Sequence, residues 1–370
     1  MLLQDELRAI SCASFETPSD NSGMCRPCGD RRLVNSLGRS IAILAAWIPW
    51  VAGCAGSEGS VREEIQVHSG GNTLGGVLEL PPGPGPHPTI VIVPGSGPAT
   101  REFPMYAELA RHWVSRGFAV LRYDKRGTGA STGDWTRETF RERADDVLAL
   151  TAHLRGRKDI RADGVGLCGH SQGGWIAPLA ASSRPDELAF LVILAGAAVT
   201  PAEQDLSSTR HRLLRSGFDD ASAEEAVALK RALHALVRQG KVEEAEVARL
   251  LEGASRNAWY PQVFPPDLKV DALCSLMRYL GLIMDHAPRP VLERISCPVL
   301  AVFGEADPFV DLSENAGPME ESLRRGSRDV TILRVPGAGH RLEPAGTNSS
   351  GFAAGALEAL DAWLDARVKR

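Results

Sequence analysis

Residues Gly169-His170-Ser171-Gln172-Gly173 set a serine between two glycines. A hydroxyl near its free pKa attacks a carbonyl poorly. It needs a base to take its proton and hydrogen-bond donors to receive the charge that develops on the carbonyl oxygen. A histidine oriented by a carboxylate supplies the first, and backbone N–H groups supply the second. The flanks of this serine suit the task. Val165-Gly166-Leu167-Cys168 precedes it as a strand would, and Trp175-Ile176-Ala177 follows as the start of a helix. A tight strand-to-helix turn strains the serine backbone and exposes its hydroxyl, while glycines two residues to either side let strand and helix pass closely.

On this pattern the partners follow in the order acid, then histidine. The apolar run 297–304 reads as a buried strand and leads into Glu305-Ala306-Asp307. Asp307, at the strand's C-terminal end, is the candidate acid, with Glu305 on the same turn as its rival. The strand at 329–337 leads into Gly337-Ala338-Gly339-His340, a loop of small residues from which the His340 imidazole can swing over the serine. His170, beside the nucleophile, cannot easily turn back to it and reads as structural. His112, His153 and His234 fall on predicted helices, and His286 is a weaker candidate base. The oxyanion donors are assigned to the N–H groups of Gln172 and of Ser96, in the loop Pro94-Gly95-Ser96-Gly97-Pro98. These glycines fit neither phosphate-binding pattern, G-x-x-x-x-G-K-[ST] or G-x-G-x-x-G. The chemistry expected is acyl transfer to water, which calls for no metal and no organic cofactor. Cys25-Arg-Pro-Cys28 has a metal-like spacing, but no second pair or histidine cluster answers it, so no metal site is assigned.

Strands alternating with helices must position these residues. The apolar runs 89–95, 118–124, 164–169, 189–196, 297–304 and 329–337 read as buried parallel strands, preceded by two short strands around Gly70-Gly71. The pattern predicts an α/β fold with a doubly wound, mostly parallel sheet. The core is assigned to residues 61–196 and 297–370. Residues 197–296 carry no strong strand signal and read as a helical cap insertion. There Ser222-Ala-Glu-Glu225 reads as a capping box, Leu229, Leu233, Leu236 and Val237 share one helical face, and a second helix covers about 242–252. Trp259, Tyr260 and Tyr279, with Phe264 and Met277, are candidates to line a substrate pocket; packing of the insertion itself is the competing reading.

A formal net charge of −5 over 370 residues gives no footprint for nucleic acid. Seven scattered cysteines are an odd set and do not read as a disulfide framework. Residues 1–54 read as an extension ending in a targeting segment. Residues 41–52 are apolar and uncharged, follow Arg31, Arg32 and Arg39, and are too short to span a bilayer comfortably. Val51-Ala52-Gly53-Cys54 resembles a bacterial lipobox, which predicts export and lipidation of Cys54, with the catalytic domain outside the cytoplasmic membrane. An ordinary secretory signal and a retained short anchor are the alternatives.

Taken together, the chain from about residue 62 to its end resembles the α/β-hydrolase superfamily. The closer resemblance is to bacterial serine carboxylesterases bearing a Gly-Ser-Gly-Pro oxyanion loop. The residues that carry it are Gly95-Ser96-Gly97-Pro98, the loop Tyr123-Asp124-Lys125-Arg126-Gly127-Thr128-Gly129-Ala130-Ser131, the serine pentad, and Cys297-Pro298-Val299-Leu300 before the acid. The resemblance implies a Ser171–Asp307–His340 triad that cleaves a small-molecule carboxylic ester through an acyl-enzyme. Two other readings stay open. A proline-type aminopeptidase on the same triad would use an acid of the insertion, such as Glu224, Glu225, Glu243 or Glu244, to hold the substrate amine. A lipid-anchored binding protein would keep the fold without the chemistry.

Overall fold

The structure, a computed structural model, describes residues 59–347 and 351–368, so the targeting segment and Cys54 lie outside the described residues. Strands β1 (Val61–Ser69) and β2 (Asn72–Leu80) form a hairpin whose pairing runs from Val61 opposite Leu80 to Ser69 opposite Asn72. Its turn, Gly70-Gly71, takes φ of 53° and 80°, a conformation glycine enters without a Cβ penalty. The other strands are β3 (His87–Val93), β4 (Ala119–Tyr123), β5 (Ile160–His170), β6 (Leu191–Leu194), β7 (Val299–Gly304) and β8 (Val330–Val335). They join one eight-stranded sheet in the order β1-β2-β4-β3-β5-β6-β7-β8. β2 runs antiparallel to β4, and all pairs from β4-β3 to β7-β8 are parallel.

The parallel series changes direction at β3, which has β4 on one side and β5 on the other. Loops leaving the C-terminal ends of strands at such a switch point diverge over the two faces and open a crevice between them. The loop after β3 carries Ser96 and the turn after β5 carries Ser171, so the topology sets both beside that crevice.

The alternation of strand side chains divides the core. Ile90, Ile92, Val120, Val192, Leu194, Leu300 and Val302 face helices α1 (Pro104–Ser115) and α11 (Ala356–Asp365). Val91, Val93, Leu121, Leu191, Ile193, Val299, Ala301 and Phe303 face the other layer, built by α2 (Phe140–Arg155), α3 (Gly173–Ser183) and α10 (Leu312–Gly326).

Between β6 and β7 the chain forms α4 (Pro201–Arg215), α5 (Asp220–Arg238), α6 (Glu244–Ala254), α7 (Tyr260–Val263), α8 (Val270–Ile283) and α9 (Arg289–Leu292). Thr200 and Glu203 form a full capping box at the start of α4, with Pro201 in its first turn. The Ser222 capping box is not formed. Asp219 caps α5 by accepting the Ser222 N–H at 2.8 Å, so the helix begins two residues before Ser222. An aspartate placed three residues ahead competes for that N–H with a charged acceptor. Inside the cap, buried Asp205 of α4 meets Lys230 Nζ at 3.1 Å and His234 Nε2 at 3.0 Å, both from α5. Among the described residues no helix is long and apolar enough to cross a membrane.

Candidate active site

The turn after β5 is built as its glycines require. A Cβ on Gly169 would come within 2.3 Å of the Gly173 carbonyl oxygen, and one on Gly173 within 2.2 Å of the Val93 oxygen. Between them Ser171 takes φ of 54°, the left-handed region that a non-glycine residue enters at a cost of about 1–3 kcal/mol. The strain is held by neighbours on both sides: Ser171 N–H donates to Leu194 O at 2.9 Å, and Gly174 N–H donates to Ser171 O at 2.8 Å. Ser171 is 8% exposed, and α3 starts two residues later, with the Gly174 and Trp175 N–H groups turned back to Ser171 O and Gln172 O.

Asp307 and His340 meet in the same region. His340 Nδ1 lies 2.7 Å from Asp307 Oδ2, and both residues are buried. The other carboxylate oxygen, Oδ1, accepts the N–H groups of Phe309 (2.7 Å) and Val310 (3.1 Å). Asp307 therefore holds a proton on Nδ1 and leaves the Nε2 lone pair free. His340 Nε2 is buried with no hydrogen-bond partner among the described residues, and it lines the same narrow cleft as Ser171. An imidazole oriented in this way can take the serine proton. Glu305, the rival acid, is exposed and does not hold the imidazole. His286 packs edge-on against Phe140, with ring centroids 5.3 Å apart, outside the cleft lining.

The loop Gly95–Pro98 lies against Ser171. A Cβ on Gly95 would sit 3.3 Å from the Ser171 Cβ. Residues Gly95 to Ala99 line a second cavity of about 490 Å³, with Phe103, Tyr106, His170, Phe309 and His340 among its other walls. Lys125 ties this loop to Gln172: its Nζ donates to Gly97 O at 2.9 Å and to Gln172 Oε1 at 3.2 Å. Arg143 Nη1 also donates to Gln172 Oε1, and Gln172 Nε2 donates to the Tyr279 hydroxyl at 3.1 Å. The side chain of Gln172 is thus gripped from three directions, which fixes the peptide that follows Ser171. The rest of the 123–131 loop is structural. Asp124 accepts the N–H groups of Arg101 (2.8 Å) and Ala130 (2.9 Å), and Arg126 pairs with Glu138 and Asp146 at 2.5 Å each.

The three aromatic residues expected at a substrate pocket stand elsewhere. Trp259 is buried and donates its indole N–H to Glu225 at 3.1 Å. Tyr260 packs on Phe264 with ring centroids 5.2 Å apart. Tyr279 sits edge-on to Trp135 and holds Gln172. All three bury apolar area within the cap or between cap and core, and none lines the two cavities beside Ser171. The narrow cleft is walled instead by Trp175, Ala197, Gln204, Ser208, Phe309 and Val310.

Sequence reasoning also missed a hydrogen-bonded chain under the site. Gly95 N–H donates to the Tyr106 oxygen (2.8 Å), the Tyr106 hydroxyl faces His170 Nδ1 (3.0 Å), and His170 Nε2 faces the His340 carbonyl (3.3 Å). The carbonyl can only accept, so Nε2 carries the His170 proton and Nδ1 accepts from the phenol. One histidine then joins the Gly95 loop, the Ser171 turn and the His340 loop. Burial, with the nearby His340 charge second, lowers the His170 pKa to about 3.

A pH effect follows. The unfolded histidine gains a proton as pH falls through about 6.5, whereas the folded one stays neutral until about 3. Stability from this group is complete above pH 6.5 and declines as pH drops below it. Between pH 7 and pH 5 the loss is about 2 kcal/mol. Urea melts at those two pH values should show a loss smaller by about that amount in His170→Gln, which cannot charge. Equal losses in the two proteins would refute the assignment.

Residues 84–343 match the family model described as serine aminopeptidase, S33 (Hydrolase_4), which is 70% of the chain. The chain belongs to that family. Esterase EstD of Thermotoga maritima is 26% identical over 242 residues, which cover 64% of this chain and 50% of that one. The chain therefore spans about half the length of this curated relative. Among solved structures, the esterase Pf2001 of Pyrococcus furiosus superposes with a TM-score of 0.55 at 14% identity, covering 84% of this chain and 92% of that one. Est1E of Butyrivibrio proteoclasticus, solved with ferulic acid, gives 0.53 at 18% identity, covering 83% and 100%. With the sheet order, these neighbours establish the α/β-hydrolase fold. The family match places the chain among these hydrolases, and EstD is a relative it resembles.

Proposed function

We propose that the protein hydrolyses carboxylic esters through an acyl-enzyme. Ser171 attacks the carbonyl as its proton passes to His340 Nε2, and the N–H groups of Gln172 and Ser96 receive the oxyanion. The tetrahedral intermediate collapses as His340 gives that proton to the leaving alcohol. Water, deprotonated by the same nitrogen, then attacks the acyl-serine and releases the acid. Asp307 holds the imidazole throughout. The observation that carries the reading is a strained Ser171 sharing one cleft with a His340 whose Nε2 has no partner and whose Nδ1 is fixed by Asp307.

Ester rather than peptide substrates are supported by what the cap offers. Its carboxylates do not line the cleft: Glu224 pairs with Arg210 at 3.0 Å, and Glu225 takes the Trp259 indole. Glu343, beside the larger cavity, belongs to the histidine loop and accepts the Arg341 N–H at 2.7 Å. p-Nitrophenyl acyl esters from acetate to palmitate should be hydrolysed, with proline p-nitroanilide left intact. Turnover of the anilide alone would move the reading to a peptidase. Export and attachment through a lipid on Cys54 are part of this proposal on sequence grounds alone, and intact-mass analysis of the membrane-extracted protein would test them.

A further inference from the structure

The first helix of the cap, α4, brings Gln204 and Ser208 to the wall of the narrow cleft, next to Ser171 and His340. They stand four residues apart, so they lie one turn from each other on the same helical face. Gln204 is 4% exposed. Its Nε2 donates to the Phe309 carbonyl, which can only accept, so the amide cannot be turned round. Oε1 is then left buried with no hydrogen-bond partner among the described residues. Ser208 uses its one hydroxyl proton on the Asp205 carbonyl at 3.2 Å, which leaves it lone pairs to offer. The remaining wall, Trp175, Ala197, Phe309 and Val310, is apolar around the triad.

The cleft therefore presents acceptors to whatever enters it and asks for a donor in return. A buried carbonyl facing a methyl group loses the hydrogen bonds it made to water and gains none. The donor should be neutral. An ammonium would need a free carboxylate, but none lines the cleft, and the buried Asp205 of the same helix already holds Lys230 at 3.1 Å and His234 at 3.0 Å. It should also be small, because the cleft volume is about 20 Å³, room for one group the size of a water molecule. On the reading of this site as an esterase, we propose that Gln204, with Ser208, selects esters carrying a hydroxyl within a few atoms of the scissile carbonyl. Gln204 is a specificity-determining residue, and the preferred substrates carry that hydroxyl close to the scissile bond.

The alternative occupant is the hydrolytic water, which every ester shares. Matched pairs separate the two. The first is p-nitrophenyl 3-hydroxybutanoate against p-nitrophenyl butanoate, with the hydroxyl on the acyl arm. The second is 2-hydroxyethyl butanoate against propyl butanoate, followed by titration of the released acid, with the hydroxyl on the alcohol arm. In the wild type, kcat/KM should favour the hydroxylated member of at least one pair by about tenfold or more. Gln204→Met, close in size and without the acceptor, should bring that ratio to within about twofold of one, and Ser208→Ala should lower it in part. The readout is the ratio within a pair, so a general loss of active protein does not mimic it. Wild-type ratios near one in both pairs would overturn the proposal. So would a Gln204→Met enzyme whose kcat/KM ratio stays at the wild-type value, as a role on the water, felt only in the deacylation part of kcat, would leave it. A wild type that turns over no ester would remove the esterase reading itself, and with it this proposal.

Discussion

Ser171→Ala should lower kcat for ester hydrolysis by about 10⁴-fold or more, leaving only what the oxyanion donors and binding achieve with water. The protein should remain folded. The backbone bonds that hold the turn, to Leu194 O and from Gly174 N–H, do not involve the hydroxyl, and alanine at φ near 54° carries the same strain as serine. A thermal melt within about two degrees of the wild type, beside that loss of turnover, separates chemistry from folding. Residual activity above about one per cent in the variant would require another nucleophile.

Asp307→Asn should cost nearly as much, about 10⁴-fold in kcat, by a route visible in the hydrogen bonds. Oδ1 accepts from two backbone N–H groups, so the amide oxygen of an asparagine must occupy that position. Its NH₂ group then faces His340 Nδ1, where the wild type has the Oδ2 acceptor. Nδ1 becomes an acceptor, the ring proton moves to Nε2, and the nitrogen that should receive the serine proton is already protonated. Because the shape is kept, KM should change little. A kcat within tenfold of the wild type would show that Asp307 does not set the tautomer.

Much of this was legible in the sequence, for physical reasons. Buried parallel strands need continuous β-branched runs, and the elbow needs glycine where backbone passes backbone, so both leave a mark on residue types. Ser171, Asp307 and His340 follow at strand ends in chain order. What did not show was how side chains meet across elements. Trp259 and Tyr279 have the composition of a pocket wall, but an aromatic residue on an insertion packs a cap as well as it lines a site. Arg143 carries a usable signal. It lies on the same helical stripe as Phe140, Val147, Leu150 and Leu154, all buried, and a charge on an apolar stripe must have buried partners. Those partners are Gln172 Oε1 and Trp135 O. Gln204 and Tyr106 gave none, since each looks like an ordinary residue early in a helix until the opposite wall is in place.

The reaction of the protein with an ethyl p-nitrophenyl alkylphosphonate tests the central claim most directly. The nucleophile that attacks esters displaces p-nitrophenolate from phosphorus and keeps the phosphonyl group. One equivalent of p-nitrophenolate should appear per chain, the adduct should map to the peptide containing Ser171, and Ser171→Ala should take up none. An adduct on another residue, or an equal burst from Ser171→Ala, would contradict the assignment of Ser171 as the nucleophile.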